Sequence, residues 1–260
     1  MQTVLAVPFF SIITAAYNSA STVAETLLSL KSQTYTNFEH IVVDGGSSDG
    51  TIEILKKFKS TYSLSWISEK DKGISDALNK GVSRARGEYI LVLQADDRLI
   101  NKAILGIVYA KLAGDSADIY SFPVLSEFAD GKKLAYRAKP FTWLYHFKTP
   151  YPHQGVFVHR RVYEKIGAFD NRFEIAMDYD FFYRALQAGI SVKQEDTFVA
   201  IMKYGGIGSS QATLRKRIKE EFNVQKKNEK HIGWKIIQLM YRLFYPFYKF
   251  YIKSNFRNDL

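Results

Sequence analysis

The chain contains no cysteine, which excludes a disulfide framework, a thiolate nucleophile and a cysteine-held zinc. Metal chemistry is left to oxygen ligands or histidine. No uninterrupted apolar run approaches the ~20 residues needed to cross a bilayer, because Lys235, Arg242, Lys249 and Lys253 break the only long candidate. The opening Met1 to Phe10 is apolar but lacks a basic leader followed by a small-residue cleavage site, and reads as the approach to a first strand rather than a signal peptide. Low-complexity tracts are absent too. What is present is 260 residues, 47% of them hydrophobic, enough for one domain of ordinary size with something smaller appended.

Negative charge is in deficit, with 26 Asp and Glu against 36 Lys and Arg, a formal balance of +10. Most of the excess falls between Arg215 and Arg257, beginning with Arg215, Lys216, Arg217, Lys219, Lys226, Lys227 and Lys230. Such asymmetry points to an anionic partner for the tail, either nucleic acid or a lipid surface.

The first hundred residues alternate in period. Apolar runs at Phe9–Ala15, Glu39–Val43, Leu64–Ile67 and Tyr89–Leu93 are separated by helical patterns at Ser21–Ser32, Gly50–Phe58 and Ile74–Ala85. Repeated strand-helix units of this kind predict an α/β domain with a mostly parallel sheet, helices on both faces and ligands at the carboxyl ends of the strands. Polar or small residues stand there: Tyr17-Asn18, Asp44-Gly45-Gly46, Asp71-Lys72-Gly73 and Asp96-Asp97. We therefore divide the chain into a βα half at 1–100, a second half of the same domain at 101–210, and a basic, aromatic helical tail at 211–260. In that tail Ile236, Ile237, Met240, Leu243, Phe244, Phe247, Phe250 and Tyr251 recur at helical spacing opposite Lys235, Arg242 and Lys249, an amphipathic pattern. Pro246 should kink or divide it.

Two adjacent carboxylates such as Asp96-Asp97 repel each other unless a cation or a hydrogen-bonding ligand holds them. Mg²⁺ or Mn²⁺ answers that need, usually through one or two carboxylates plus substrate phosphates; a surface turn opening the next helix accounts for the same spacing. Asp44 can accept from a base imide, or it can cap the following helix together with Ser47. Asp178 opens a predicted helix at Tyr179–Ala188, where it serves equally as a cap or as a general base, with Asp180 pointing elsewhere. An imidazole at His153 could meet a diphosphate, an acceptor or a backbone carbonyl. Trp143 and Tyr145 are candidate platforms for a sugar face.

Phe10 to Asn18, Ile41 to Thr51 with Asp44-Gly45-Gly46-Ser47-Ser48-Asp49-Gly50 at its centre, and Glu69 to Gly81 with Asp71-Lys72-Gly73 together resemble the family 2 glycosyltransferases. The resemblance continues through Asp96-Asp97, Pro152-His153-Gln154, Gly167-Ala168-Phe169-Asp170 and Asp178-Tyr179-Asp180-Phe181, spanning roughly residues 9 to 205. It is strongest to the bacterial branch that assembles O-antigen, capsule and exopolysaccharide units. It implies a GT-A fold in which Tyr17 and Asp44 hold the base, usually uracil, and Asp71, Lys72 and Gly73 lie against the nucleoside or diphosphate. By the same resemblance Asp96 contacts the ribose or donor sugar, Asp97 ligates Mn²⁺ or Mg²⁺, and Asp178 is the general base of an inverting transfer. The family's acidic loop usually reads Asp-x-Asp; here Ala95 precedes, so only the last two positions are acidic.

The implied partners are a nucleotide-sugar donor, UDP-linked, and a lipid-linked saccharide acceptor. The implied location is cytoplasmic, peripheral on the inner face of the bacterial inner membrane, with the tail on anionic lipid. The tail also admits a packed helix covering the domain. No recognised motif supports nucleic acid. Two rival functions remain: a carbohydrate or lipid-surface binding protein with a decayed site, and a sugar nucleotidyltransferase. The latter would carry a Gly-rich basic loop after the first strand, where Tyr17-Asn18-Ser19 offers none.

Overall fold

The computed structural model describes residues 7–139, 142–205 and 212–247. Strands β1 (Phe10–Ala16), β2 (Phe38–Asp44), β3 (Leu64–Ser68) and β4 (Tyr89–Val92) alternate with helices α1 (Val23–Lys31), α2 (Thr51–Phe58) and α3 (Ile74–Arg84), as the change of period predicts. Then follow β5 (Arg98–Leu99), α4 (Ile104–Leu112), β6 (Ile119–Ser121), β7 (Val124–Glu127) and β8 (Lys133–Tyr136). Two 3₁₀ turns (Thr142–His146 and His153–Gly155) lead to β9 (Val156–His159), α5 (Arg160–Ile166) and α6 (Met177–Gln187). The order closes with β10 (Val192–Gln194), β11 (Ala200–Lys203), α7 (Leu214–Asn228) and α8 (Ile232–Phe247).

The main sheet has the order β10-β6-β9-β4-β1-β2-β3, and β5-β11-β7-β8 form a second, smaller sheet. Strands β4, β1, β2 and β3 run parallel, and β9 lies antiparallel to both β4 and β6. Both faces are covered, which is why the strands read as nearly continuous apolar runs. Successive side chains point to opposite faces: Phe10 and Ile12 pack in the layer containing Leu105, Val108 and Phe157, whereas Ile13 packs with Ala77, Leu78 and Phe181. Such a mixed α/β architecture, mostly parallel and flanked by helices, is the GT-A arrangement.

Helix α8 runs through Pro246 as a single element rather than dividing there. Its inward stripe is Trp234, Gln238, Tyr241 and Tyr245. Trp234 stacks on His146 with ring centroids 4.0 Å apart, Tyr241 meets Phe147 at 4.9 Å, and Gln238 donates from Nε2 to the carbonyl of His146 at 2.8 Å. Beneath them Glu229 accepts from Tyr183 Oη at 2.6 Å and pairs with His146 Nδ1 at 2.6 Å. The stripe singled out from the sequence faces away from the domain, with Ile236, Ile237, Met240, Leu243 and Phe244 each about half exposed or more. Phe250, Tyr251, Lys249 and Lys253 lie outside the described residues. No described helix is long and apolar enough to cross a membrane.

Candidate active site

Four parallel strands, β1 to β4, deliver four loops to one rim. After β1 the chain turns at Asn18, whose φ of +47° is left-handed, a conformation asparagine tolerates better than most residues. Asn18 N–H donates to Ser47 Oγ at 2.8 Å and its Oδ1 accepts from Ser48 N–H at 3.0 Å, while Ala20 N–H donates to Asp49 Oδ2 at 2.9 Å. The loops after β1 and β2 are thus cross-linked, and Tyr17 stands on them exposed.

Asp44, expected to accept from a nucleotide base, is wholly buried. Its Oδ2 accepts from the N–H groups of Gly46 and Ser47 at 2.9 Å each and from Ser68 Oγ at 2.7 Å, and its Oδ1 accepts from Ser47 Oγ. Both oxygens are engaged, and none of the side chain reaches the rim. Nor does Asp44 cap α2, where Asp49 Oδ1 accepts from Thr51 N–H at 3.1 Å instead. Physically, a buried carboxylate at a strand end has to be fully hydrogen-bonded, and its own loop together with Ser68 at the end of β3 supplies the donors.

Asp71 is half-buried in the next loop, with Oδ1 accepting from Gly73 N–H at 2.9 Å. Gly73 has a φ of +113°, which its lack of a side chain permits. Lys72 projects outward beside it.

The acidic loop follows β4 and is pinned from below. Thr14 Oγ1 donates to the Leu93 carbonyl at 2.7 Å and Thr26 Oγ1 to the Asp97 carbonyl at 2.7 Å. Asp97 is 2% exposed, with Oδ1 accepting from Lys203 N–H at 3.2 Å and Oδ2 buried without a hydrogen-bond partner. Burial, and then the charge of Asp96, push its pKa up to about 7, against smaller opposing effects of His153, Gln154 and the Lys203 amide. Asp96 is partly buried and is also raised, by burial first, with Lys203 and His153 working the other way. An orphaned, buried oxygen beside a second carboxylate is the polar geometry a hard divalent cation would complete. Among the described residues no group of three or more His, Asp or Glu stands ready as a cage, so the fit is to an ion whose shell substrate phosphates would finish.

His153 reaches this loop because β9 is antiparallel to β4, so the turn that opens β9 lies beside the end of β4. Its Nδ1 is 3.6 Å from Asp178 Oδ2, and its Nε2 is buried without a partner. Burial lowers the pKa of the imidazole, but the Asp178 contact and the charges of Asp178, Asp97 and Asp96 more than offset that and leave it raised.

Asp178 lies in the first turn of α6 but caps nothing beyond itself, since its Oδ1 accepts only from the adjacent Tyr179 N–H at 2.7 Å. The loop that leads into α6 is held from α7: Glu220 Oε2 accepts from the N–H groups of Glu174, Ile175 and Ala176 at 3.1, 2.8 and 3.0 Å. Asp180, fully buried, is bound to Arg184, Lys227 and Asn228. The loop before α6 is held by α3, where Ser75 Oγ donates to the Phe173 carbonyl at 2.6 Å and Asn79 Nδ2 to that of Phe169 at 2.8 Å. A hollow of about 20 Å³ beside His153, Asp178 and Gln94 has the size of one water molecule, not of a sugar. Tyr145 packs on His146 at 4.1 Å and is no platform.

Asp96, Asp97, His153 and Asp178 therefore form one cluster, and Tyr17 and Asp71 flank a second part of the rim. Lys203 and Glu220 had no signal in the sequence, because their positions depend on how β11 and α7 dock.

Residues 11–188 match the family described as Glycosyl transferase family 2. The chain belongs to that family. Across 247 residues it is 28% identical to a PGL/p-HBAD biosynthesis glycosyltransferase of Mycobacterium bovis, covering 92% of this chain and 91% of that one. A cholesterol galactosyltransferase of Borreliella burgdorferi is 36% identical over 110 residues, 42% of this chain and 30% of its own. Among solved structures, S. aureus TarS 1-349 in complex with UDP-GlcNAc superposes with a TM-score of 0.70 at 20% identity, over 90% of this chain and 72% of that one. The likeness to TarS shows the GT-A fold. Family membership makes the chain a glycosyltransferase.

Proposed function

We propose that this family 2 glycosyltransferase moves a sugar from a UDP-linked donor to a saccharide or lipid acceptor with inversion at the anomeric carbon. The reading rests on one observation: Asp97, with its buried, unpartnered Oδ2, and the Asp178 carboxylate both lie close enough to His153 to act on its charge. An acceptor hydroxyl is too weakly acidic to attack alone, so a carboxylate within hydrogen-bond reach has to take its proton. Asp178, which caps nothing beyond the adjacent Tyr179 N–H, is that base. As the acceptor oxygen bonds to the anomeric carbon, the bond to the diphosphate oxygen breaks and the nucleoside diphosphate departs. Asp97, with Asp96, would hold Mn²⁺ or Mg²⁺, which would supply Lewis-acid neutralisation of the charge on the leaving diphosphate. Lys203 and protonated His153 add positive charge on that side.

A UDP donor is supported by the family resemblance and by the donor bound in TarS. A lipid-linked acceptor is supported by the sterol that names the Borreliella relative and by α8. Its outward face carries Ile232, Ile236, Leu239, Met240, Leu243 and Phe244, and the cations Arg215, Lys219, Lys226, Lys230 and Lys235 of the same tail are also exposed. A half-inserted helix on an anionic leaflet has this composition, and we place the enzyme peripherally on the cytoplasmic face of the bacterial inner membrane in O-antigen-like surface polysaccharide synthesis. The test is turnover of UDP-sugars with Mn²⁺ and a lipid-linked acceptor, with the product's anomeric configuration read by NMR; retained configuration, or no transfer from any nucleotide sugar, sinks the reading.

A further inference from the structure

We propose that the groove between the turn Thr142–His146 and helix α8 holds the hydrocarbon chain of a phosphate-bearing lipid acceptor. This rests on the reading that the acceptor is lipid-linked. The groove has a volume of about 320 Å³ and is lined by Trp143, Leu144, Phe147 and Tyr241, with Lys139 and Lys148 at its sides. At the ~30 Å³ a water takes up in the liquid, that is room for roughly ten groups of such a size, the scale of a run of methylenes. The walls are fixed to one another. Phe147 meets Tyr241 at 4.9 Å and Trp143 edge-on at 6.1 Å, and Lys148 Nζ donates to Tyr245 Oη at 2.5 Å. Trp143, a candidate sugar platform in the sequence, is a half-exposed wall of this groove. Two cations and no carboxylate line it, so an apolar chain with an anionic end matches it and a free saccharide does not.

The position of the groove ties it to Asp178. Lys139 N–H donates to the Pro150 carbonyl at 2.8 Å, which closes the segment bearing the groove three residues before His153. Tyr145 packs edge-on against Tyr183 at 5.1 Å, and Tyr183 follows Asp178 by five residues on α6, about 7.5 Å along the helix axis. Lys139 Nζ stands 5.7 Å from the centre of the Tyr136 ring. Burial first, and then the charge of Asp178, push the Tyr136 phenol up, so Tyr136 neighbours both the lysine and the base. With its phosphate on Lys139 and its chain between Trp143 and Tyr241, an acceptor directs its saccharide past Tyr136 to Asp178. Helix α8 also presents Ile236, Met240, Leu243 and Phe244 outward, so a lipid surface that holds the helix delivers the chain beside the groove.

The experiment measures binding of butyl, octyl and dodecyl phosphate to the full chain by calorimetry. We expect affinity to rise with chain length by up to about fourfold per methylene, the worth of one buried CH₂, and Leu144→Trp, which fills the groove, to flatten that rise. Trp143→Ser repeats the test at a half-exposed position, where a failure of packing does not intrude. Lys139→Gln should weaken all three alkyl phosphates by roughly three- to tenfold, the loss of a charge-assisted contact, and leave octanol unaffected. All three variants should raise KM for the lipid-linked acceptor in the transfer assay while UDP affinity stays at the wild-type value. Wild-type affinity that does not depend on chain length, or the same dependence in Leu144→Trp and Trp143→Ser, overturns the proposal and leaves the lipid-acceptor reading standing. So does a flattened dependence with the acceptor KM unmoved, which assigns the groove to bilayer acyl chains. Transfer by the wild-type enzyme to soluble saccharides alone removes the lipid-acceptor reading itself.

Discussion

His153 Nδ1 lies 3.6 Å from Asp178 Oδ2, a separation at which the imidazole acts on the carboxylate through its charge, while Oδ1 is held by the Tyr179 N–H. If Asp178 takes the acceptor's proton, Asp178→Asn should lower kcat by about 10²–10⁴-fold. Donor affinity by calorimetry should be unchanged, since the amide keeps the shape. Loss of donor binding in that variant counts against the role. His153→Gln, which retains hydrogen bonding but not the charge, should reduce kcat less and shift its pH profile.

The pKa of about 7 at Asp97 has a sign that can be followed. A carboxyl group raised in the folded state binds its proton more tightly than in the unfolded chain, so its contribution to stability is present below the unfolded value near 4 and is lost as pH rises through about 7. The metal-free enzyme should therefore lose some stability across that window, and Mn²⁺ should restore it by binding the ionised form. Mn²⁺ affinity should rise with pH up to about 7 and then level off. Asp97→Asn should raise Tm at pH 8 without metal by a few degrees and abolish the stabilisation by Mn²⁺. A melting curve insensitive to both pH and Mn²⁺ rules this out.

The first half of the fold was legible because period is a direct record of backbone geometry, and polar residues after apolar runs mark the carboxyl ends of strands. Asp71, Asp96 and Asp97 reach the rim for that reason. The burial of Asp44 was not legible: a carboxylate held by its own loop and by Ser68, and one open to solvent, both appear as Asp followed by glycines. The proximity of His153 to Asp97 depends on β9 running antiparallel, and β9 is a four-residue strand with too little pattern to show direction. The anchoring of the loop before Asp178 depends on Glu220, which is remote in sequence and reaches it only through the packing of α7 on α6.

Gly155 tests how tightly the site is mounted. A Cβ there would lie 2.2 Å from the Phe122 carbonyl oxygen and 3.0 Å from Val124 Cγ1. The first of these is backbone and cannot swing aside. Gly155 also donates to the Pro152 carbonyl and accepts from Phe122 N–H, both at 2.8 Å, so the turn carrying His153 is fastened to β6. Gly155→Ala should cost about 1–3 kcal/mol by overpacking and lower Tm accordingly. It should also reduce kcat in the fraction that remains folded, because His153 moves with the strand. Wild-type Tm and kcat together contradict this.

Helix α8 carries two stripes offset by two residues, about 200° around its axis. Trp234, Gln238, Tyr241 and Tyr245 pack inward, while Ile236, Met240, Leu243 and Phe244 are exposed. Deleting the helix would uncover Phe147 and break the bond from Gln238, confusing membrane release with unfolding. Substituting only the outer stripe avoids that. The triple variant Ile236→Ser, Leu243→Ser, Phe244→Ser removes no inward contact, so its stability should stay within about 0.5 kcal/mol per site. If the face inserts between lipids, the variant should remain in the supernatant when spun with phosphatidylglycerol vesicles that pellet the wild-type protein, and raising salt should weaken wild-type binding through the exposed lysines. Equal pelleting of the two would leave the outer stripe without a membrane role and turn attention to the basic face of α7, whose attraction to anionic lipid requires no insertion.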